Sequence, residues 1–381
     1  MNNQKAFEIP YFEKDIELLN KKLDLVTWPD EPQDFGWKYG ANLHYMKNLS
    51  DYWRNQFDWK SVVERLNKYN HFKSIVNDTE IHYMIIEGEC SNPKPLVLLH
   101  GWPGSFFEFI DLIPFLTNPE KYDSSKKQSY TLIIPSLPGY GFSFTPSKKR
   151  YGVEEISELI HLLVTENLGF KNYFLQGGDW GSFISSRISH LYPKSILGLH
   201  LNFLAIRRDF KREKAKNPEE EIFAEELKYF LKEETGYQWI QGTKPQTLGY
   251  ALSDSPIGLA AWLVEKFYTW TDCKGDLDSY LGRDKILSNI MIYLCSGAIT
   301  SSFWPYYSRM HTPTWPVPGP VEVPVGYIQF PNEIIRPPVS VAETMYKNIV
   351  RWDKAEVGGH FAALEQPKLL SESILNFFDE I

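Results

Sequence analysis

The chain has 381 residues, with 40 Lys and Arg against 48 Asp and Glu, for a formal net charge of −8. That balance gives no support for nucleic-acid or anionic-membrane binding, and the length admits one large domain with an insertion, or two domains. Three cysteines (Cys90, Cys273, Cys295), odd in number and far apart, fit a reduced, cytoplasmic setting. The polar start Met1-Asn2-Asn3-Gln4-Lys5 and the lack of any run of about 18 apolar residues predict neither a signal peptide nor a membrane anchor.

Residues 1–75 read as an N-terminal arm packing on the core. Residues 16–25 have helical spacing, 29–40 form a loop rich in Pro, Asp and Gly, and 49–66 are helical in pattern, with Trp53, Phe57 and Trp59 on the packed face. From about Ile75 the pattern becomes strand–helix alternation, and 76–204 read as the first part of an α/β core. Residues 95–99 and 131–134 are short apolar runs of the kind that buried parallel strands show. Ile156, Leu159, Ile160 and Leu163 recur at helical spacing up to Gly169. A strand at 173–175, a tight turn, a helix at 183–191 and a strand at 196–201 follow. This rhythm predicts a mostly parallel sheet with helices on both faces.

Between 205 and 309 the strand rhythm stops. A charged stretch (207–226) leads into helical patterns at 259–270 and 286–299, which read as a cap over the strand ends. The Pro-rich segment 313–320 returns the chain to a second core part, 310–381. It has strands at 325–330 and 349–352 and a final helix at 368–378. Pro324 sits just before its strand, where a missing N–H is tolerated.

Four loops each follow a strand, which places them at the carboxyl edge of the sheet, where α/β proteins bind ligands. They are His100-Gly101-Trp102-Pro103-Gly104-Ser105, Gln176-Gly177-Gly178-Asp179-Trp180-Gly181-Ser182, Phe330-Pro331-Asn332-Glu333 and Gly358-Gly359-His360-Phe361. The second has the small-x-nucleophile-x-small turn between strand and helix that α/β-hydrolases use as a nucleophile elbow, with Asp179 in the place of the usual serine. Alone, Asp179 reads as a helix cap, Glu333 as a surface carboxylate and His360 as a turn residue. Together they run in the order nucleophile, acid, base.

A carboxylate has a reference pKa of about 3.9. It attacks an sp³ carbon without a base and leaves an ester. His360, oriented by Glu333, then takes a proton from the water that attacks the ester, and the backbone N–H groups of Trp102 and Trp180 hold the oxyanion. His100 reads as a residue that orients its loop. None of the nine histidines has a metal-ligand spacing, and Gly139-Tyr140-Gly141 lacks the rest of a dinucleotide fingerprint. Neither a metal nor a cofactor is expected.

These loops, with Ser136-Leu137-Pro138-Gly139-Tyr140-Gly141-Phe142-Ser143, resemble those of epoxide hydrolases, and within them the microsomal and juvenile-hormone branch. The resemblance extends to the arm (Tyr52-Trp53, Phe57-Asp58-Trp59) and to cap stretches at 236–241, 243–245 and 254–260, so it covers nearly the whole chain. It implies an α/β-hydrolase fold with a helical cap, and cofactor-free hydrolysis of a small apolar epoxide to a vicinal diol. It also implies two lid tyrosines that bind the epoxide oxygen and protonate it, Tyr237 and Tyr306, with the adjacent Tyr307 competing for the second place. Pro103 resembles the family's cis-proline, which aims the Trp102 N–H. Anchored members of the branch begin with a membrane segment, and this chain departs from them there. A haloalkane dehalogenase shares the Asp-Trp elbow and is the alternative; a binding protein on the same scaffold is a further rival. The oligomeric state is not legible, and a homo-oligomer is compatible with everything above.

Overall fold

The computed structural model describes residues 4–206, 215–312 and 319–381. Among these residues nine strands form one sheet: β1 (Lys5–Phe7), β2 (His71–Val76), β3 (Thr79–Ile86), β4 (Lys94–Leu99), β5 (Tyr130–Pro135), β6 (Tyr173–Gly177), β7 (Ile196–Leu201), β8 (Val325–Gln329) and β9 (Ile349–Lys354). Their order is β1-β2-β3-β5-β4-β6-β7-β8-β9. Pairing is antiparallel from β1 to β5 and parallel from β5 through β4 to β9.

The centre of the sheet is apolar for the reason its sequence suggests: Leu96, Val97, Leu98 and Leu99 of β4 are fully buried because both faces of the strand are covered. Along β6, Tyr173 bonds His161 of the helix Val153–Leu162, whereas Phe174 packs on Phe378 of the helix Pro367–Asp379. Successive strand residues point to opposite faces, so helices cover both sides.

Two local features depart from the sequence reading. Residues 49–66 are two helices, Leu43–Asn55 and Trp59–Leu66, because Asp58 breaks the run and caps the second by accepting from the Ser61 N–H at 3.2 Å. The border expected between residues 75 and 76 falls inside β2, which turns into β3 through Asn77 and Asp78, both at positive φ (43° and 62°). That is the backbone a two-residue hairpin needs, and Asn and Asp tolerate it.

Between β7 and β8 the described residues form the helices Pro218–Glu233, Gly236–Thr243, Pro245–Asp254, Pro256–Trp270, Leu277–Leu281, Arg283–Ser296 and Trp304–His311. The return segment 313–320 lies outside the described residues except for Gly319 and Pro320, as does 207–214 of the charged stretch. The arm reaches the sheet through β1, yet its polar contacts go to this helical layer. Tyr45 donates to Asp278 at 2.7 Å, Tyr52 to Asp284 at 2.8 Å, and Lys22 pairs with Asp254 at 2.8 Å. No single helix among the described residues is long and apolar enough to cross a membrane.

Candidate active site

The elbow puts a carboxylate where the sheet ends. β6 stops at Gly177, and the helix Asp179–Leu191 begins at once, with Asp179 at φ 46°. A left-handed backbone of this kind is tolerated by Asp better than by most side chains. The flanking glycines are steric requirements: a Cβ on Gly181 would overlap the Leu99 carbonyl of β4, and one on Gly101 would overlap the Asp179 side chain. The helix is thereby pressed against β4, and Asp179 faces the loop that follows it.

That loop answers with a donor. The Trp102 N–H donates to Asp179 Oδ1 at 2.7 Å, and the Trp102–Pro103 peptide is cis. The Trp180 N–H belongs to the first turn of the elbow helix, whose amides have no intrahelical acceptor. The helical layer braces the Trp102 loop from above. Asn289 donates to the Pro103 carbonyl and accepts from Ser105 Oγ, both at 2.8 Å, and Tyr293 donates to the Gly104 carbonyl at 2.7 Å.

His360 lies between Asp179 and Glu333, the other two members of the expected triad. Its Nε2 is 3.3 Å from Asp179 Oδ2 and its Nδ1 is 2.6 Å from Glu333 Oε1. That Glu333 oxygen also accepts from the Ile334 N–H at 2.7 Å. Glu333 and His360 are almost wholly enclosed (0% and 2% side-chain exposure), while Asp179 keeps 17%. Burial alone would lower the His360 pKa, but the charges of Glu333 and Asp179, which also bond it, outweigh burial and push it up to about 10. Burial raises the Glu333 carboxyl, and His360 offsets part of this rise. Trp270 and Phe203 hold the imidazole edge-on, at 5.2 and 5.7 Å between ring centroids.

Above Asp179 an aromatic group closes in. Tyr237 stacks on Trp102 (5.0 Å, 11°), and Tyr306 meets Trp180 (4.8 Å), Tyr237 (5.5 Å) and Trp102 (5.9 Å) edge to face. Tyr306 is 3% exposed, and burial first, then Tyr237 and Asp179, push its hydroxyl pKa well up; no acceptor takes its proton among the described residues. Tyr307 points elsewhere, stacking on His311 at 4.0 Å and packing on Trp304 at 4.8 Å. Of the two neighbours, Tyr306 is thus the one beside Asp179.

His100 is neutral and structural in its contacts. Burial lowers its pKa to about 4, its Nδ1 donates to the Gly101 carbonyl, and its Nε2 accepts from the Leu137 N–H, both at 3.1 Å. Sequence reasoning missed three neighbours. Lys266 Nζ sits over the rings of Tyr237 and Trp270, at 4.9 and 5.2 Å, and pairs with Glu265 at 2.7 Å. Asn202, just past β7, accepts from Gln176 at 2.7 Å. Glu108 lines the same cavity as Asp179 and His360. Only Glu108 carried a signal, as a lone acid in the aromatic run Phe106-Phe107-Glu108-Phe109.

A family model described as the epoxide hydrolase N terminus matches residues 4–109, and one for the alpha/beta hydrolase fold matches 94–219. Epoxide hydrolase 1 of Oryctolagus cuniculus is 35% identical over 98% of this chain and 88% of its own. Juvenile hormone epoxide hydrolase 2 of Ctenocephalides felis is 37% identical over 98% and 85%. The crystal structure of juvenile hormone epoxide hydrolase from the silkworm Bombyx mori superposes with a TM-score of 0.91 at 31% identity, covering 100% of this chain and 95% of that one. These relatives decide against the dehalogenase alternative: the chain belongs to the epoxide hydrolases, enzymes of the α/β-hydrolase fold.

Proposed function

We propose that this epoxide hydrolase opens a small apolar epoxide in two half-reactions through an ester on Asp179. In the first, an Asp179 oxygen forms a bond to one ring carbon as that carbon's bond to oxygen breaks. Tyr237 and Tyr306 hold the epoxide oxygen and give it a proton as it leaves. Asp179 becomes a neutral ester, so one of the two charges that keep His360 protonated is gone, and the imidazolium releases its proton to restore the tyrosine.

In the second half-reaction water bonds to the Asp179 carbonyl carbon and gives a proton to His360, which Glu333 orients. The N–H groups of Trp102 and Trp180 carry the charge on the tetrahedral oxygen. The bond between the Asp179 carbonyl carbon and the alkyl-bearing oxygen breaks, that oxygen leaves with the product, His360 protonates it to give the diol, and the acid left on Asp179 returns its proton to His360. Segment 205–309 serves as the lid and 1–75 as the arm that braces it. The three free thiols suit a reducing, cytoplasmic setting.

The observation that carries the reading is the unbroken chain Glu333–His360–Asp179, at 2.6 and 3.3 Å, beneath two tyrosines. One turnover in ¹⁸O-water with enzyme in excess tests it. The first diol is expected to contain no label, because its new oxygen comes from Asp179. A fully labelled first diol means direct attack by water and ends the ester mechanism.

The two adjacent tyrosines make a second test. Tyr306→Phe is expected to slow ester formation about 100-fold, the low end of a general acid's contribution because Tyr237 stays in place, while Tyr307→Phe leaves the rate nearly unchanged. Stopped-flow tryptophan fluorescence reads both rates, and equal effects at the two positions would remove Tyr306 from the role.

A further inference from the structure

Behind the Asp179 carboxylate lies a cavity of about 20 Å³. One water needs roughly 10–15 Å³ together with two to four polar partners. Glu108, Asn202, His360 and Asp179 all line it. The Asn202 Oδ1 already accepts from Gln176 at 2.7 Å, which leaves its Nδ2 to donate. Two glycines keep the space open: a Cβ on Gly104 would run into the Glu108 carboxyl, and one on Gly178 would come within 2.8 Å of the Asn202 amide.

Glu108 has no role in the two half-reactions above, yet it is a half-buried acid facing the triad. Its carboxyl makes no hydrogen bond or ion pair among the described residues, and its surroundings act on it through burial and through the charges of His360 and Asp179. An acid in such a place is costly unless a small polar partner completes it. We infer that Glu108 is a positioning residue for the hydrolytic water, which it holds with Asn202 in this cavity while His360 takes the proton.

The inference rests on the ester reading and refines its second half. Water in the cavity donates one hydrogen to His360 Nε2 and the other to the Glu108 carboxyl, and the Asn202 amide donates to it. Its oxygen then bonds to the Asp179 carbonyl carbon, and the proton lost in that bond formation goes to His360. Glu108 stays covalently unchanged. Burial, with a smaller contribution from Asp179, raises the Glu108 pKa to about 8, and His360 works against the rise.

The test separates the two half-reactions by single turnover with a styrene-type epoxide, timing growth and decay of the enzyme adduct by quenched-flow mass spectrometry. In Glu108→Leu, which removes the acceptor at similar volume, the adduct is expected to form at the wild-type rate and to survive about 10- to 100-fold longer, as expected for a misplaced reactant. Glu108→Gln keeps an oxygen acceptor and is expected to recover part of the rate. Gly104→Ala pushes a methyl against the Glu108 carboxyl and is expected to lengthen the adduct's life too, which decides the matter if Glu108→Leu does not fold. An adduct whose lifetime is unchanged in these variants overturns the water site and leaves the ester mechanism standing. Failure of the wild-type enzyme and of His360→Gln to form any adduct overturns both.

Discussion

Asp179→Ala is expected to remove at least about five orders of magnitude from kcat/KM while leaving the fold intact. Five decades correspond to about 7 kcal/mol of transition-state stabilisation, in the range lost when a covalent nucleophile is deleted and its partners cannot act alone. Here they cannot: His360 and the Trp102 N–H are aimed at a carboxyl group that no longer exists, so neither half-reaction has its central atom. The structural cost is small by comparison. Alanine at φ 46° pays about 1–2 kcal/mol for a left-handed backbone, and the lost Trp102 hydrogen bond adds about 1 kcal/mol. The His360 imidazolium also loses one of its two carboxylate partners, and relief of the repulsion between Asp179 and the Glu333 and Glu108 carboxyls offsets part of that. Thermal unfolding is expected to shift by a few degrees only. Activity within tenfold of wild type, in a folded variant, would mean that water opens the ring directly and that Asp179 is no nucleophile.

The triad was legible in the sequence because each member sits in a loop that directly follows a strand, and apolar strands such as 95–99 and 173–175 are easy to see. Gly177, Gly178 and Gly181 gave the elbow away for a steric reason, since side chains there would strike Gly181, Asn202 or Leu99. The antiparallel edge was not legible. β2 and β3 carry polar residues such as His71, Lys73, Glu80 and His82, and their apolar pattern is diluted by a buried polar pair. His71 Nδ1 lies 3.0 Å from His82 Nε2, and His82 Nδ1 lies 2.9 Å from Ser136 Oγ. The one local signal there is the hairpin turn itself, Asn77-Asp78, two residue types that tolerate its positive φ. The second lid tyrosine could not be fixed by spacing, because 306 and 307 are neighbours on a helix and only packing tells which one faces Trp180. Glu108 and Asn202 escaped for a related reason: a cavity is a property of several loops at once, and no single loop announces it.

His360→Gln is expected to give the opposite picture to Asp179→Ala, an enzyme that starts the reaction and cannot finish it. Asp179 keeps its carboxylate and its Trp102 donor, and the tyrosines are untouched, so the ester still forms; water is no longer deprotonated, and hydrolysis falls by about 10²- to 10⁴-fold, the usual contribution of a general base. Intact-protein mass spectrometry is expected to show nearly stoichiometric adduct, heavier by the mass of the epoxide and located on the peptide containing Asp179. The same substitution makes a stability prediction. The folded-state pKa of His360, about 10, lies above its unfolded value of about 6.5, so its charged form adds stability that is complete below about pH 6.5 and is lost as pH rises through about 10. The wild-type Tm is therefore expected to fall more steeply than that of His360→Gln between those limits, in parallel titrations. Matching slopes would show that the imidazolium is not held by Glu333 and Asp179. Steeper wild-type loss without a trapped adduct would leave the ion pairs in place and remove His360 as the base. Ester accumulation joined to a flattened pH slope has one account: the two carboxylates that keep His360 protonated at rest lose one charge at the moment of alkylation, and the histidine becomes a base only once there is an ester for its water to attack.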